Sequence, residues 1–182
     1  MKVISGIYKG RILEGFTIDG TRPTMDRVKE SLFAMIQNNI LDSTVLDLFS
    51  GSGNLGIEAL SEGAKFSYFV DRNKKACQTI KNNLEKIGES NYKIIGMDYL
   101  KVLDYFYNEK IKFDIIFLDP PYNTDYVKKS LEKIEQYNLL KDKGIIVCES
   151  NSLDKITSQD CYQLKKEKKY GDKFIVLLEK IW

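Results

Sequence analysis

The 182-residue sequence contains no histidine. That absence excludes histidine general bases, Ser-His-Asp arrangements and the commonest metal ligands. No metal is expected, and the chemistry must run on carboxylates, hydroxyls, amines or a bound cofactor. Cysteine is scarce as well. Cys77, Cys148 and Cys161 are widely spaced and form no C-x-x-C pair, which argues against a zinc site or a disulfide framework and for a reducing, cytoplasmic setting. No apolar run approaches the roughly 18 residues of a membrane span, and the amino terminus lacks a signal-peptide core. What remains is ordinary globular material. With 43% hydrophobic and 30% charged residues, the chain is long enough for one α/β domain with a substantial core and a small appendage.

The formal net charge of +2 is unevenly spread. Lys2, Lys9, Arg11, Arg22, Arg27 and Lys29 face only Glu14, Asp19 and Asp26 in the first 29 residues, and five lysines crowd residues 165–173 against Glu167 and Asp172. The body between these segments is net acidic. Two basic segments flanking an acidic body suit a polyanionic partner, and equally suit a solvated, lysine-rich surface.

Phe113-Asp-Ile-Ile-Phe-Leu-Asp119-Pro-Pro-Tyr122 is the stretch around which the rest is organised. Its nearly continuous apolar run predicts a parallel strand covered on both faces. Pro120 and Pro121 then fix a stiff corner without backbone donors. One carboxylate, free carbonyls and the Tyr122 ring are thereby held at the carboxyl end of a strand, where open α/β sheets bind ligands. From Thr44 onward the pattern repeats β-α units, with strands expected at 44–48, 66–70, 92–96, 113–118 and 144–148 and helices at about 54–62, 73–87, 98–108 and 125–136. Two extended stretches, 161–167 and 173–180, predict a closing hairpin. Before the sheet, residues 2–13 predict a short hairpin broken by Gly6 and Gly10. Thr24 is placed to cap a helix to about Asn39 that buries Val28, Leu32, Met35, Ile36 and Ile40.

Asp47-Leu-Phe-Ser-Gly51-Ser-Gly53-Asn-Leu-Gly56 follows a predicted strand and opens a helix, the context in which a glycine motif carries meaning. Asp71, ending the next strand, stands where an acid accepts from ribose hydroxyls. This much also fits NAD. Asp47, poorly placed beside a pyrophosphate but well placed beside an amino group, and the lack of a second substrate domain both tilt away from hydride transfer.

Asp47 to Gly53, then Asp71, Asp98 and Asp119-Pro-Pro-Tyr122, resemble the class I S-adenosylmethionine-dependent methyltransferases that act on exocyclic amines. Ile4-Ser-Gly-Ile-Tyr-Lys-Gly-Arg11, Thr21 to Phe33, Gly51 to Leu60 and Lys169-Tyr-Gly-Asp172 resemble more specifically the RsmD family, which methylates the exocyclic amine of one guanine in bacterial small-subunit (16S) ribosomal RNA. Asn54, Met25 and Lys29 depart mildly from the family's habits. The resemblance implies a Rossmann-like, mostly parallel sheet with a closing antiparallel strand (residues 41–182) and a small RNA-contacting hairpin and helix extension (residues 1–40). It implies S-adenosylmethionine as cofactor, with Asp47 at the methionine amino group, Gly51 and Gly53 allowing close approach, Asp71 at the ribose and Asp98 at the adenine amine. Asp119 and the Pro120 carbonyl would accept the hydrogens of the target amine while Tyr122 stacks on the base, and Arg11, Arg22, Arg27 and Lys29 would hold phosphates. The expected partner is 16S ribosomal RNA, free or within an assembling subunit, met by a monomer. A DNA adenine methyltransferase is the alternative enzyme. Protein-amide enzymes usually carry Asn where Asp119 stands, and a non-catalytic RNA-binding module with a relic pocket is the alternative from outside enzymes.

Overall fold

The computed structural model describes residues 1–16, 26–122, 124–153, 156 and 161–181. Among these residues, five helices and seven strands follow in the order α1 (Asp26–Ile40), β1 (Thr44–Asp47), α2 (Asn54–Ser61), β2 (Phe66–Val70), α3 (Lys74–Ile87), β3 (Tyr92–Ile95), α4 (Tyr99–Asn108), β4 (Phe113–Leu118), α5 (Tyr126–Gln136), β5 (Leu140–Ser150), β6 (Tyr162–Tyr170) and β7 (Lys173–Lys180). They build one sheet ordered β3-β2-β1-β4-β5-β7-β6, parallel through β5 and closed by antiparallel β7 and β6. This is the Rossmann-like arrangement expected.

The period-2 alternation of β4 divides its apolar run between two cores. Ile116 and Leu118 pack with Leu46, Phe106 of α4 and Leu131 of α5, whereas Ile115 and Phe117 pack with Val45, Ala59 of α2 and Leu32, Phe33 and Ile36 of α1. Residues of the amino-terminal segment thus share the cores of the sheet. Val28, Leu32, Ile36 and Ile40 of the expected α1 face are buried, and Met35 is half-buried. The expected cap, Thr24, lies outside the described residues. Helix α3 starts where Asn73 accepts from Lys75 N (2.9 Å) and Ala76 N (3.4 Å) and stops at Gly88, whose φ of 73° is left-handed.

One element differs from the sequence reading. Strand β5 begins at Leu140 rather than Gly144, because buried Leu140 pairs with Phe113 across a register shift in a stretch, Lys141 to Lys143, with no apolar signal. The first residues make the short hairpin expected: around the antiparallel Lys2–Ile12 bridge, Val3 N donates to Arg11 O at 3.0 Å, Leu13 N to Met1 O at 2.8 Å and the Met1 ammonium to Leu13 O at 3.1 Å. Other donors of the segment turn to α2: Ile4 N and Ser5 N donate to the Glu58 carboxylate at 2.9–3.1 Å, and Ile7 N donates to Ser61 O at 2.8 Å.

The seam between α2 and β2 admits no side chain at Gly56. A Cβ there would lie 2.3 Å from Phe69 Cε1 and 2.9 Å from Ser67 Oγ. Gly56→Ala should therefore cost about 1–3 kcal/mol through overpacking. A thermal melt shows it, and an unchanged Tm would mean that helix and strand can separate without cost.

Candidate active site

The strand order reverses beside β1, and at this switch point the carboxyl ends of β1 and β4 lie side by side. Asp47 is in register with Phe117, so Asp119 lies two residues beyond its neighbour. Loops from these strands and from β2 and β3 enclose a cavity of about 600 Å³, within the range of small-molecule sites. Its walls come from Asp47 to Ser52, Asp71 to Asn73, Met97 to Tyr99, Asp119 to Tyr122, and Tyr126, with Met1, Phe16 and Asp26 from the amino-terminal segment.

Besides Asp26, four acids at the strand ends mark the cavity's length. Asp47 is only 2% exposed, and its Oδ2 accepts from Gly56 N at 3.0 Å. Burial pushes its carboxyl up to about 7; the Gly56 bond opposes the shift and the charge of Asp71 adds to it. Asp71 takes the Gly51 N–H on Oδ2 (3.0 Å) and the Asn73 N–H on Oδ1 (2.8 Å), tying the glycine loop to the end of β2. Asp98 caps α4, its Oδ1 accepting from Leu100 N at 3.0 Å and Lys101 N at 3.4 Å. Asp119 stands across the cavity, followed by Pro120 and Pro121. Between the acids the wall is apolar: Phe49, Tyr99 and Tyr126 cluster with centroids 4.7–6.0 Å apart. That aromatic slot escaped the sequence reading, although Tyr99 adjoins Asp98.

The two glycines do different work. Gly51, with φ of 56°, lines the cavity with open space where a Cβ would project. Gly53 does not line it. Its φ is 83°, and a Cβ would press on Ile57 (3.1 Å), Ile80 and Phe69 (both 3.4 Å), so its need for glycine comes from backbone conformation and packing.

Lys29 requires a correction. Expected to hold phosphate, it is 1% exposed and pairs with Glu58 Oε2 at 2.8 Å. Its ammonium also donates to Lys2 O (2.6 Å) and Asn54 Oδ1 (2.8 Å), stitching the amino-terminal segment to the start of α2. An apolar-period position in α1 carried it into the core, where a cation survives only if paired. Arg11 and Arg27 are exposed, and Arg22 lies outside the described residues. Arg27 sits one turn before Ser31, whose hydroxyl receives hydrogen bonds from Lys168 Nζ (2.9 Å) and the Tyr170 hydroxyl. The fold thus brings the two basic segments together at α1. Glu149 and Lys173, which the sequence reading did not connect with the site, meet the Tyr122 side chain.

No described helix is long and apolar enough to cross a membrane, and no group of three or more His, Cys, Asp or Glu among the described residues could hold a metal ion. The family model described as conserved hypothetical protein 95 matches residues 1–179. Ribosomal RNA small subunit methyltransferase D of Haemophilus influenzae is 34% identical over 173 residues, 94% of this chain and 89% of that protein. The protein of the same name from Buchnera aphidicola subsp. Acyrthosiphon pisum is 36% identical over 166 residues, 91% of this chain and 86% of its own. The solved structure of yhhF from Escherichia coli aligns with a TM-score of 0.88 at 30% identity, covering 99% of this chain and 97% of that one. On motifs, fold and the extent of these matches, the chain belongs to the RsmD family.

Proposed function

We propose that the protein transfers a methyl group from S-adenosylmethionine to the exocyclic amine, N2, of a guanine in small-subunit (16S) ribosomal RNA. The observation that carries this reading is the meeting, in one cavity, of an acid-lined cradle with Asp119-Pro-Pro-Tyr122 at the switch point. The cradle fits the cofactor's chemistry. Asp47 would face the methionine ammonium, Gly51 would let the backbone approach, and Asp71 would accept from the ribose hydroxyls. Asp98 would meet the adenine amine beside the Phe49, Tyr99 and Tyr126 slot. Gly53 serves this site through packing. When bound, S-adenosylmethionine supplies a methyl group already activated on a sulfonium.

The remaining difficulty lies in the guanine. Its amine lone pair is delocalised into the ring, so the nitrogen attacks poorly unless acceptors favour localised charge in the transition state. Asp119 and the Pro120 carbonyl accept the two N–H bonds, Asp119 receives the proton the nitrogen sheds, and Tyr122 stacks on the extracted base. The extension of residues 1–40 meets the RNA through its exposed basic side chains. Arg11, Arg22 and Arg27 bind phosphates, joined near α1 by Lys168, and Lys29 holds the segment in place from inside.

Labelled S-adenosylmethionine incubated with unmethylated ribosomal fractions should yield labelled N2-methylguanosine in small-subunit RNA. Label in another nucleoside, or none from either naked RNA or assembled subunits, would sink the proposal. Asp71→Ala should weaken binding of S-adenosylhomocysteine by about 1.5–3 kcal/mol, the range for hydrogen bonds to a charged group. Wild-type affinity in calorimetry would remove Asp71 from the site.

Asp47 adds a pH signature. A carboxyl raised to about 7 keeps its proton when folded over a window beginning near its ordinary 3.8. Its contribution to stability is fully present below that window and declines as pH rises through it. A ligand ammonium favours the ionised form, so cofactor affinity should climb with pH up to about 7 and then level, with proton release on binding below that point. Calorimetric heats of binding should accordingly depend on buffer ionisation enthalpy in the wild type and not in Asp47→Asn. Buffer-independent wild-type heats would place another group at the amine.

A further inference from the structure

Behind the Asp119 corner lies a buried polar network that the proposed chemistry leaves unexplained. Glu149, near the carboxyl end of β5, is 4% exposed. Its Oε1 accepts both from the Tyr122 hydroxyl, at 2.9 Å, and from the ammonium of Lys173 at the start of β7. The same ammonium lies 5.0 Å from the centroid of the Tyr122 ring. Glu149 Oε2 is buried with no hydrogen-bond partner among the described residues. Stability alone is a poor reason for such a group, because an apolar pair of similar volume commonly serves as well or better than a buried ion pair. An orphaned carboxylate oxygen makes the network costlier still.

We infer that Glu149 and Lys173 are positioning residues that hold the Tyr122 ring as a preordered platform for the target base. The ring is held at both ends, by the Pro120-Pro121 corner at its backbone and by Glu149 at its hydroxyl. The Lys173 ammonium lies over one face of the half-buried ring, so stacking would use the opposite face. Ordering the ring in the free protein shifts its rotamer entropy from the base-binding step to folding. The Lys173 ammonium and the Tyr122 hydroxyl both keep their protons across the physiological range. Burial would lower the Lys173 ammonium, but hydrogen bonds to Glu149 and Tyr122 reverse that and hold it above its ordinary value. Burial pushes the Tyr122 hydroxyl up to about 12, with Lys173 opposing the shift and Glu149 adding to it.

This inference rests on Tyr122 serving as the platform, so its test begins with Tyr122→Ala in the full-length protein acting on unmethylated small-subunit RNA. Tyr122→Phe keeps the ring and loses the anchor, Glu149→Gln weakens the anchor, and Glu149→Gln with Lys173→Met leaves no unpaired charge should the single variant fold poorly. We expect Tyr122→Phe, Glu149→Gln and the charge-neutral pair each to lower kcat/KM for RNA about threefold to tenfold, the scale of one hydrogen bond. The affinity for S-adenosylhomocysteine should stay unchanged. Tyr122→Phe combined with Glu149→Gln should be no worse than either alone, because both cut the same link. Losses that multiply, that follow Tm across the variants, or that appear in cofactor affinity would overturn the positioning role. Wild-type transfer by Tyr122→Ala would overturn the platform itself. A damaged Tyr122→Ala beside fully active Tyr122→Phe and Glu149→Gln would overturn only the inference drawn here.

Discussion

Asp119→Ala is expected to slow methyl transfer by about a hundredfold to a thousandfold, some 2.7–4 kcal/mol of transition-state stabilisation, while S-adenosylhomocysteine binds nearly as before. The magnitude is that of removing one preorganised group aimed at developing charge. Asp119 qualifies because the end of β4 and the two prolines fix its backbone at the edge of the cavity. The separation of effects follows from the fold. Asp47 ends β1 and Asp71 follows β2, whereas Asp119 follows β4 on the other side of the switch point. Asp119→Asn, which keeps an acceptor oxygen but loses the charge, should fall between Ala and wild type. Single-turnover assays with saturating cofactor provide the measurement. A wild-type rate in Asp119→Ala, or a loss lying wholly in cofactor affinity, would refute the role.

RNA carrying inosine at the target nucleotide is expected to bind and to receive no methyl group at all. Inosine keeps guanine's O6, N7 and N1–H but lacks the amine, so the nucleophile itself is missing. Binding should survive because phosphate contacts supply most of the affinity and carry no base information. It should weaken modestly, since acceptors built for an N–H are left unpaired by the analogue. Filter binding alongside labelled methyl incorporation distinguishes the two effects. Methyl transfer to inosine at that nucleotide would show that another atom is modified, and equal activity on duplex DNA adenines would point to the alternative enzyme.

Much of this was legible before folding because its causes are local. Alternating β-α signals, the apolar run into Asp119, the Pro-Pro corner and the loop from Asp47 to Gly56 are written within a few residues of themselves. Strands β2 and β4 start and stop where residue type alone placed them. The gathering of Asp47, Asp71, Asp98 and Asp119 around one cavity then follows from parallel β-α units, whose carboxyl ends must share an edge.

What the sequence by itself determined, then, was the class of fold and the acids at its edge. Tertiary structure alone decided which charges remain available. Lys29 and Arg27 are two residues apart in a basic segment, yet helical phase sends Lys29 inward to Glu58 and leaves Arg27 exposed. Gly53 reads like Gly51 in the loop but faces Ile57, Ile80 and Phe69 rather than the cavity. Glu149 and Lys173 carry no mark that links them to Tyr122, because Glu149 is 27 residues from it and Lys173 lies 24 residues beyond Glu149. Their meeting depends on β7 pairing antiparallel to β5, which brings the start of one strand to the end of the other. Periodicity and turn chemistry are short-range properties of a chain. The partner of a buried charge is set by long-range strand order, and only the folded sheet supplies it.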